Sequence, residues 1–466
     1  MPPRSGARKY ERLIAMGLSI FLAYAFFMFA ASFSLRRKQK NEESFFLNSR
    51  SSSACLVAFS IIVSCVGASA TMGTVGLAFE AGTPAFWWLG SGAVGLSALT
   101  IFLAGRVRRS RAHTMPEIVE SFFGPFVRKL VSVLIVAAWL AILAAQFTAM
   151  GRVVSAMTGF EISLALAVGA VLITIHTAIG GQAAIIKLDR WQFSALTAGL
   201  ALTLWWLWQI NGSVLPAIKV EAVNESFPFS RLVYFLAVIG GSYVVCPTLF
   251  GRLLSAESEA AAKKGAFGAV LGLAFISIMV VMVGLMARGL ISADVPGDAV
   301  LTTILETVFP KWLTMVIYVV LLSAIVSSAD SCLVTAGLVL AYDVFGKRSL
   351  TASRCSIAAL ALGGFLLTFM AKGILGFLLM ANDIYVCGVV GPVFVGLMLP
   401  ENSRVDYRFA ACGIIAGGAL GLFSSFSGNL YYSYLGIASS TFLTILGTRA
   451  NLFKAAETVS FDLKKG

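Results

Sequence analysis

Charged side chains are scarce in this sequence. Asp, Glu, Lys and Arg make up 12% of its 466 residues and 58% are hydrophobic, whereas soluble domains carry about 25% charged residues. Only two histidines are present, and neither joins a nucleophile in a catalytic pattern. No segment between the apolar runs is long enough for a soluble catalytic domain. The sequence therefore predicts one helical membrane domain spanning 1–466, and not an enzyme.

Metal-binding and redox cysteine patterns are also absent. The seven cysteines include no C-x-x-C pair, so neither a zinc site nor a dithiol is indicated. The net charge of +13 could suit nucleic acid, but the Lys and Arg residues lie mainly between the apolar runs. We interpret them as a membrane-orientation signal. The expected surroundings are a lipid bilayer, with no nucleic acid and no obligatory protein partner indicated.

Apolar runs of about 20 residues, the length that crosses a bilayer, recur throughout the chain and predict about thirteen spans. The first is too long for a signal-peptide core and lacks a clean cleavage site, so we expect it to be retained. With the N-terminus outside, most Lys and Arg fall in inside loops. This predicts a multi-pass protein of the inner (plasma) membrane with a cytoplasmic tail, 448–466. The predicted spans are 12–34, 53–79, 83–105, 129–151, 161–180, 190–210, 231–249, 265–288, 313–342, 355–371, 374–399, 407–426 and 429–447.

Two predicted spans carry signals of a broken helix. Residues 61–76 of the second span contain three glycines, which weaken a helix, and the seventh contains Gly240-Gly241 followed by Pro247, which removes a backbone donor. These spans are five apart, so if spans 2–6 and 7–11 are inverted repeats, each broken helix is the first of its repeat. Interrupted helices at corresponding positions indicate a transport site. The alternative for the second span is a face of small residues that packs against another helix.

A cluster of serines occupies the ninth span. Ala324, Ser327, Ser328 and Ser331 fall at spacings that share one helical face. Hard cations prefer oxygen ligands, and hydroxyls supply them without excess negative charge. The pattern favours a site for a monovalent cation. The alternative is that the serines bond back to their own helix.

Two carboxylates fall inside apolar segments, where charge is costly and usually functional. Asp383 lies well inside the eleventh span and Asp189 lies at the inner start of the sixth. Asp383 could instead pair with a neighbouring helix, and Asp189 could occupy a solvated first turn. Either carboxylate could serve as the proton carrier of a proton-coupled transporter.

Six blocks in order resemble the sodium:solute symporter family, over about residues 40–400. That resemblance implies an all-α, five-plus-five inverted-repeat core of the leucine-transporter type. Repeat one would be 53–210 and repeat two 231–399, with peripheral helices at 12–34 and 407–447. The blocks are Ser44–Arg50, Gly67–Ala78, Thr114–Gly124, His176–Gln192, an inner-loop block from Cys246 to Lys264 that includes Arg252, and Ser323–Ser331.

The resemblance also implies site residues. The main sodium site would use the backbone carbonyls of Val63, Val66 and Ala324 and the hydroxyls of Ser327 and Ser328. Some members bind a second sodium at the positions of Asp189, Ser327 and Ser331, and this chain keeps all three residue types. Solute would lie near Gly67, Ala70, Tyr243 and Asp383.

The implied function is sodium-coupled symport of a small organic solute, such as an amino acid or a carboxylate, by alternating access. Ala70 argues against a sugar as the solute, because the sugar carriers have a polar amide side chain at that position. Cys65 argues against proline, because the proline carriers have an acidic residue there. His176 replaces a family tyrosine and is expected at the membrane interface. The alternatives are proton coupling on the same fold and a transporter-like solute sensor.

Overall fold

The computed structural model of the protein describes residues 4–36, 42–212, 218–370, 373–400 and 405–463. Within these ranges the chain is almost entirely helical, and β-structure is limited to isolated bridges. The all-α class predicted from the apolar runs is therefore confirmed.

Nineteen α-helices run through the described residues, and short 3₁₀ or π turns join several of them. In chain order they are α1 (Arg4–Arg36), α2 (Glu42–Leu47), α3 (Ala54–Cys65), α4 (Thr74–Ala81), α5 (Trp87–Ala98), α6 (Ala104–Arg109), α7 (Met115–Phe123), α8 (Pro125–Thr158), α9 (Ile162–Asn211), α10 (Phe229–Tyr234), α11 (Gly240–Val244), α12 (Pro247–Leu254), α13 (Glu259–Ala287), α14 (Val300–Thr307), α15 (Lys311–Val339), α16 (Leu350–Leu367), α17 (Gly373–Met398), α18 (Tyr407–Ser427) and α19 (Tyr431–Leu463).

Ten helical segments among the described residues are long and apolar enough to cross a membrane, and the bent α3–α4 segment makes an eleventh. About thirteen were predicted. One difference is α9, a 50-residue helix that contains two predicted spans and bends at Gly181, where φ is 57° and ψ is −176°. The other is α19, which is not among the ten because tyrosines and serines dilute its first turns.

The helix α15 lies at the centre and is the most buried of the candidate spans. It packs against α8, α9 and α3, so the serine cluster lies where several helices meet. On another side of the bundle, α17, α18 and α19 pack against one another. The architecture therefore has a central contact region around α15 and a separate packed group formed by its last three helices.

Glycines set the close approach of α18 to α17. A Cβ atom at Gly421 would lie 2.0 Å from the carbonyl oxygen of Asp383, and one at Gly417 would lie 2.2 Å from that of Cys387. Small residues allow membrane helices to approach this closely. The contact fixes α18 beside the stretch of α17 that carries Asp383.

Candidate functional site

The first broken helix lies where the glycine-rich stretch predicted it. The helix α3 ends at Cys65, and Val66 leaves the helical conformation with φ −98° and ψ 65°. The chain then resumes with a π turn at Ser69–Gly73 and α4, bent by 67° from α3. The last carbonyls of α3 consequently have no partners further along their own helix. The predicted interruption is confirmed.

Ser328 reaches these carbonyls from α15. Its Oγ donates at 2.9 Å to the carbonyl of Ser64 and at 3.2 Å to that of Val63. On the other side of the break, Gln146 Oε1 accepts from the Ala68 N–H at 3.0 Å. The structure thus joins two of the predicted sodium ligands, Val63 and Ser328, and adds Gln146, which the sequence alone did not indicate.

Gly67 permits this contact. A Cβ atom there would lie 2.5 Å from Ser328 Oγ and 2.6 Å from its Cβ. Its role is therefore the close approach of α15 to the break. The remaining predicted ligands are near in sequence: Val66 is the residue that leaves the helix, and Ala324 is fully buried one turn before Ser328.

The second broken helix lies just before Pro247. Val245 and Cys246 leave the helical conformation, and Pro247 opens α12. The hydroxyl of Tyr385 donates at 2.6 Å to the freed carbonyl of Val245. The break was predicted, but the glycine pair is not its location. Gly240 and Gly241 lie inside α11.

The glycine pair instead serves helix packing. A Cβ atom at Gly95 of α5 would lie 1.9 Å from the carbonyl oxygen of Gly240, and one at Gly240 would lie 3.0 Å from the Ser91 carbonyl. The close packing of α5 and α11 therefore requires small residues on both sides.

Asp189 lies at the centre of a buried polar cluster. It is fully buried within α9, so the alternative of a solvated first turn is wrong. Ser327 Oγ donates to its Oδ1 at 2.7 Å, and Ser60 Oγ donates to its Oδ2. The structure therefore brings Asp189 and Ser327 together, as the family resemblance implied.

Arg252 enters the same cluster. Its Nη2 atom lies 3.6 Å from Asp189 Oδ2, 2.5 Å from Ser331 Oγ and 3.3 Å from Ser64 Oγ. The sequence placed Arg252 in an inner loop, and this is wrong, because it lies on α12 and is 1% exposed. The available signal was its position in the apolar octapeptide that begins at Pro247.

His176 is buried rather than interfacial. Its Nδ1 lies 2.8 Å from Asp330 Oδ2, and both side chains are 1% exposed. Thr177 Oγ1 donates to the other oxygen of Asp330. These contacts join α9 to α15 on a face of α15 beside the Asp189 cluster.

A cavity of about 110 Å³ adjoins the first break. Trp88, Trp139 and Tyr243 contribute aromatic rings to the lining of this cavity. None of the described residues that line it is charged. Ser328 contributes to both the cavity and the contact with α3. Its polar lining consists of Ser64, Ser69, Gln146, Ser242, Thr248, Ser328 and Asn382.

The four predicted solute residues fall in different places. Tyr243 lines the cavity, Gly67 adjoins Ser328 at its edge, and Ala70 is buried next to the lining residue Ser69. Asp383 does not line the cavity, although its neighbour Asn382 does.

Asp383 instead accepts three hydrogen bonds from hydroxyls. Tyr234 donates at 2.8 Å, Ser425 of α18 at 2.8 Å and Ser433 of α19 at 2.9 Å. The sequence left open the alternative that Asp383 pairs with neighbouring helices. The structure shows this pairing.

The sequence is similar to that of a known protein family and to known transporters. The sequence profile described as the sodium:solute symporter family matches residues 45–355. The chain is similar to the sodium/pantothenate symporter of Haemophilus influenzae, at 22% identity over 71% of this chain and 72% of the relative. It is also similar to the human high affinity choline transporter 1, at 21% identity over 63% of this chain. It spans about half the length of that transporter, 54%.

A solved structure shares the fold. The substrate-bound, outward-open structure of a Na⁺-coupled sialic acid symporter superposes with a TM-score of 0.80 at 14% identity, covering 93% of this chain and 98% of the other. The fold is that of the leucine-transporter-type carriers. The chain belongs to the sodium:solute symporter family, as the ordered sequence blocks predicted.

Proposed function

We propose that this protein is a sodium-coupled symporter of the inner (plasma) membrane, with its N-terminus outside and its C-terminus in the cytoplasm. It moves a small organic solute by alternating access around the break between α3 and α4. The observation that carries this proposal is the Ser328 hydroxyl on the freed carbonyls of α3. Family membership supports sodium as the coupling ion.

The sodium site in this proposal combines the carbonyls of Val63, Val66 and Ala324 with the hydroxyls of Ser327 and Ser328. All are neutral oxygen ligands, which hard cations accept. A bound ion would replace the hydrogen bonds of Ser328 and hold α15 against α3. It would favour one state only by its difference in affinity between the two states. One charge that crosses a potential of 100 mV supplies about 2.3 kcal/mol.

Sodium binding to the purified protein tests this site without knowledge of the solute. The double change Ser327→Ala with Ser328→Ala should weaken the apparent affinity for ²²Na⁺ by about tenfold or more, since it removes both hydroxyl ligands. Ser323→Ala is the matched control on the same helix, because Ser323 bonds to its own backbone at Val319. Unchanged affinity in the double variant would contradict the assignment.

The proposed solute carries no net negative charge. No described basic side chain lines the cavity to meet a carboxylate, whereas Trp88, Trp139 and Tyr243 supply aromatic faces. Such faces attract organic ammonium groups. The aromatic, uncharged lining therefore supports a solute like choline, which one relative's name gives, over a solute like pantothenate, which the other relative's name gives. This class differs from the amino acid or carboxylate expected from sequence, because it excludes net anions and includes organic ammonium compounds.

A thermal-shift screen in sodium buffer distinguishes these solute classes. We expect choline, tetramethylammonium or neutral zwitterions to stabilise the protein, and pantothenate to give no shift. Trp139→Leu should reduce the stabilisation, whereas the exposed Trp205→Leu should preserve it. Stabilisation by pantothenate alone would reject this class. Solute uptake into vesicles that is unaffected by sodium at fixed pH would favour the proton-coupled alternative.

A further inference from the structure

We propose that the cleft between α6, α7 and the end of α17 binds the phosphate group of an anionic phospholipid, whose acyl chain lies along Phe102 and Met398. The cleft has a volume of about 580 Å³, and Arg106, Arg109 and Ser110 are among the residues that line it. It adjoins the ends of two candidate spans, which finish at Arg109 and Met398. The site is separate from the proposed sodium site, so the inference does not rest on sodium coupling.

Arg106 is fixed at the edge of the cleft by the last turn of α17. Its Nη1 donates to the carbonyl of Leu397 and lies 3.9 Å from Met398 Sδ. No described carboxylate forms an ion pair with Arg106. A guanidinium carries five N–H donors, so this side chain is positioned by one nitrogen and keeps donors for a phosphate oxygen.

The cleft keeps a positive charge for a ligand to meet. Arg109 is 55% exposed, and its Nε lies 3.6 Å from Glu259 Oε1, which belongs to a side chain that is itself 41% exposed. An exposed pair of this kind is weak. Among the described residues that line the cleft, the one carboxylate is Glu117. It already accepts from Arg348 Nη2 and from the His113 N–H, both at 2.7 Å.

An apolar surface continues from this basic edge along the membrane-spanning part. Phe102 lies four residues before Arg106, which is about 6 Å along a helix axis, and its ring packs edge-on against Phe394 of α17 at 6.2 Å. Phe102 and Met398 are 47% and 41% exposed, and Ile101 is 70% exposed. A phospholipid has the same order of groups, because its phosphate lies at the membrane surface and its acyl chains begin just below it.

The geometry of the cleft goes beyond a membrane-orientation signal. Orientation depends on the number of basic residues near the end of a span, and it requires neither a cleft nor an arginine fixed on a neighbouring helix. Basic pockets between spans on the cytoplasmic side bind anionic headgroups. In the orientation that we propose, this end of α6 faces the cytoplasm, so the lipid would come from the inner leaflet.

Thermal unfolding of the detergent-purified protein, titrated with dioleoylphosphatidylglycerol, tests the site. Dioleoylphosphatidylethanolamine, which has no net charge, is the comparison, and we expect it to stabilise the protein much less. Arg106→Gln with Arg109→Gln should weaken the apparent affinity for phosphatidylglycerol by about tenfold, since two basic contacts to the headgroup are lost. Arg111→Gln with Lys264→Gln is the matched control. Both residues are exposed and lie outside the cleft, so this variant loses the same charge and should keep the affinity.

Inorganic phosphate distinguishes a lipid site from a site for a free anion, and it should give no stabilisation where phosphatidylglycerol saturates. Equal stabilisation by phosphate or by phosphatidylethanolamine, or equal losses in the two double variants, would overturn the inference. If loss of the Leu397 contact prevents the first double variant from folding, Arg109→Gln alone decides, because it leaves Arg106 in place. It should weaken phosphatidylglycerol binding by about threefold, and an unchanged affinity would overturn the inference.

Discussion

Asp189 and Asp383 are both buried carboxylates in the membrane-spanning part of the chain, yet the structure stabilises them differently. Asp189 faces the guanidinium of Arg252 and accepts from two serines. Asp383 accepts from Tyr234, Ser425 and Ser433, and no described basic side chain forms an ion pair with it. One carboxylate has a counter-charge and the other has only hydroxyls.

The difference follows the position of each carboxylate in the fold. Asp189 lies where both broken helices meet α15, the part of the structure that we propose to bind sodium. Asp383 fastens α17 to α10, α18 and α19. Burial of a carboxylate in a span therefore does not by itself identify a transport residue. What distinguishes the two is the partner, and substitutions can test whether that distinction holds.

The largest expected effect is that of Asp189→Asn. It leaves the guanidinium of Arg252 buried without a counter-charge, which should lower the free energy of unfolding by about 3–5 kcal/mol. Asp383→Asn is the matched control and should cost about 1–2 kcal/mol at most, because its hydroxyl partners can reorient around an amide. Unfolding in detergent micelles measures both. Equal losses would remove the distinction between the two sites.

A double change extends this test. Asp189→Asn with Arg252→Met removes both charges and should recover part of the stability lost in Asp189→Asn. Failure to recover any would show that the pair does not act as a unit. The wild type, Asp189→Asn, Arg252→Met and the double variant together give the coupling energy of the pair.

An intermediate effect is expected for Gly67→Ala, which perturbs the Ser328 contact and touches neither carboxylate. Its new Cβ would overlap Ser328 Oγ, and overpacking of this kind costs about 1–3 kcal/mol. Sodium affinity should fall by about tenfold. Gly212→Ala is the control, because the nearest atom to a Cβ there lies at 3.4 Å. If both variants bind sodium like the wild type, the contact is not part of the ion site.

The smallest effect is expected for Tyr234→Phe. It removes one of three donors to Asp383 and should cost about 1–2 kcal/mol of stability, with unchanged ²²Na⁺ affinity. Tyr434→Phe is the control, since its hydroxyl donates to the Ser230 carbonyl at an exposed position. A change in sodium affinity in Tyr234→Phe would place Asp383 within the transport machinery after all.

The two helix breaks could be predicted from the sequence because each depends on residues close together in the chain. The glycine-rich stretch and Pro247 each disturb a helix through their own backbone, so both breaks were predictable. The two predicted spans 161–180 and 190–210 fit α9, because it is 50 residues long and its kink at Gly181 falls between them, and about 20 residues cross a bilayer. The packing role of Gly240 was missed, since it depends on α5, a helix far away in sequence.

The sequence by itself determined the membrane class, the two interruptions, the serine cluster and the family, because each depends on composition, local backbone chemistry or an ordered set of motifs. Only the tertiary structure decided which partners the buried charges have. Neighbouring residues of a helix point about 100° apart, so the rotation of α17 puts Asn382 on the cavity and Asp383 on α18 and α19. The course of α12 after Pro247 likewise carries Arg252 into the centre, where it meets an aspartate on a different helix.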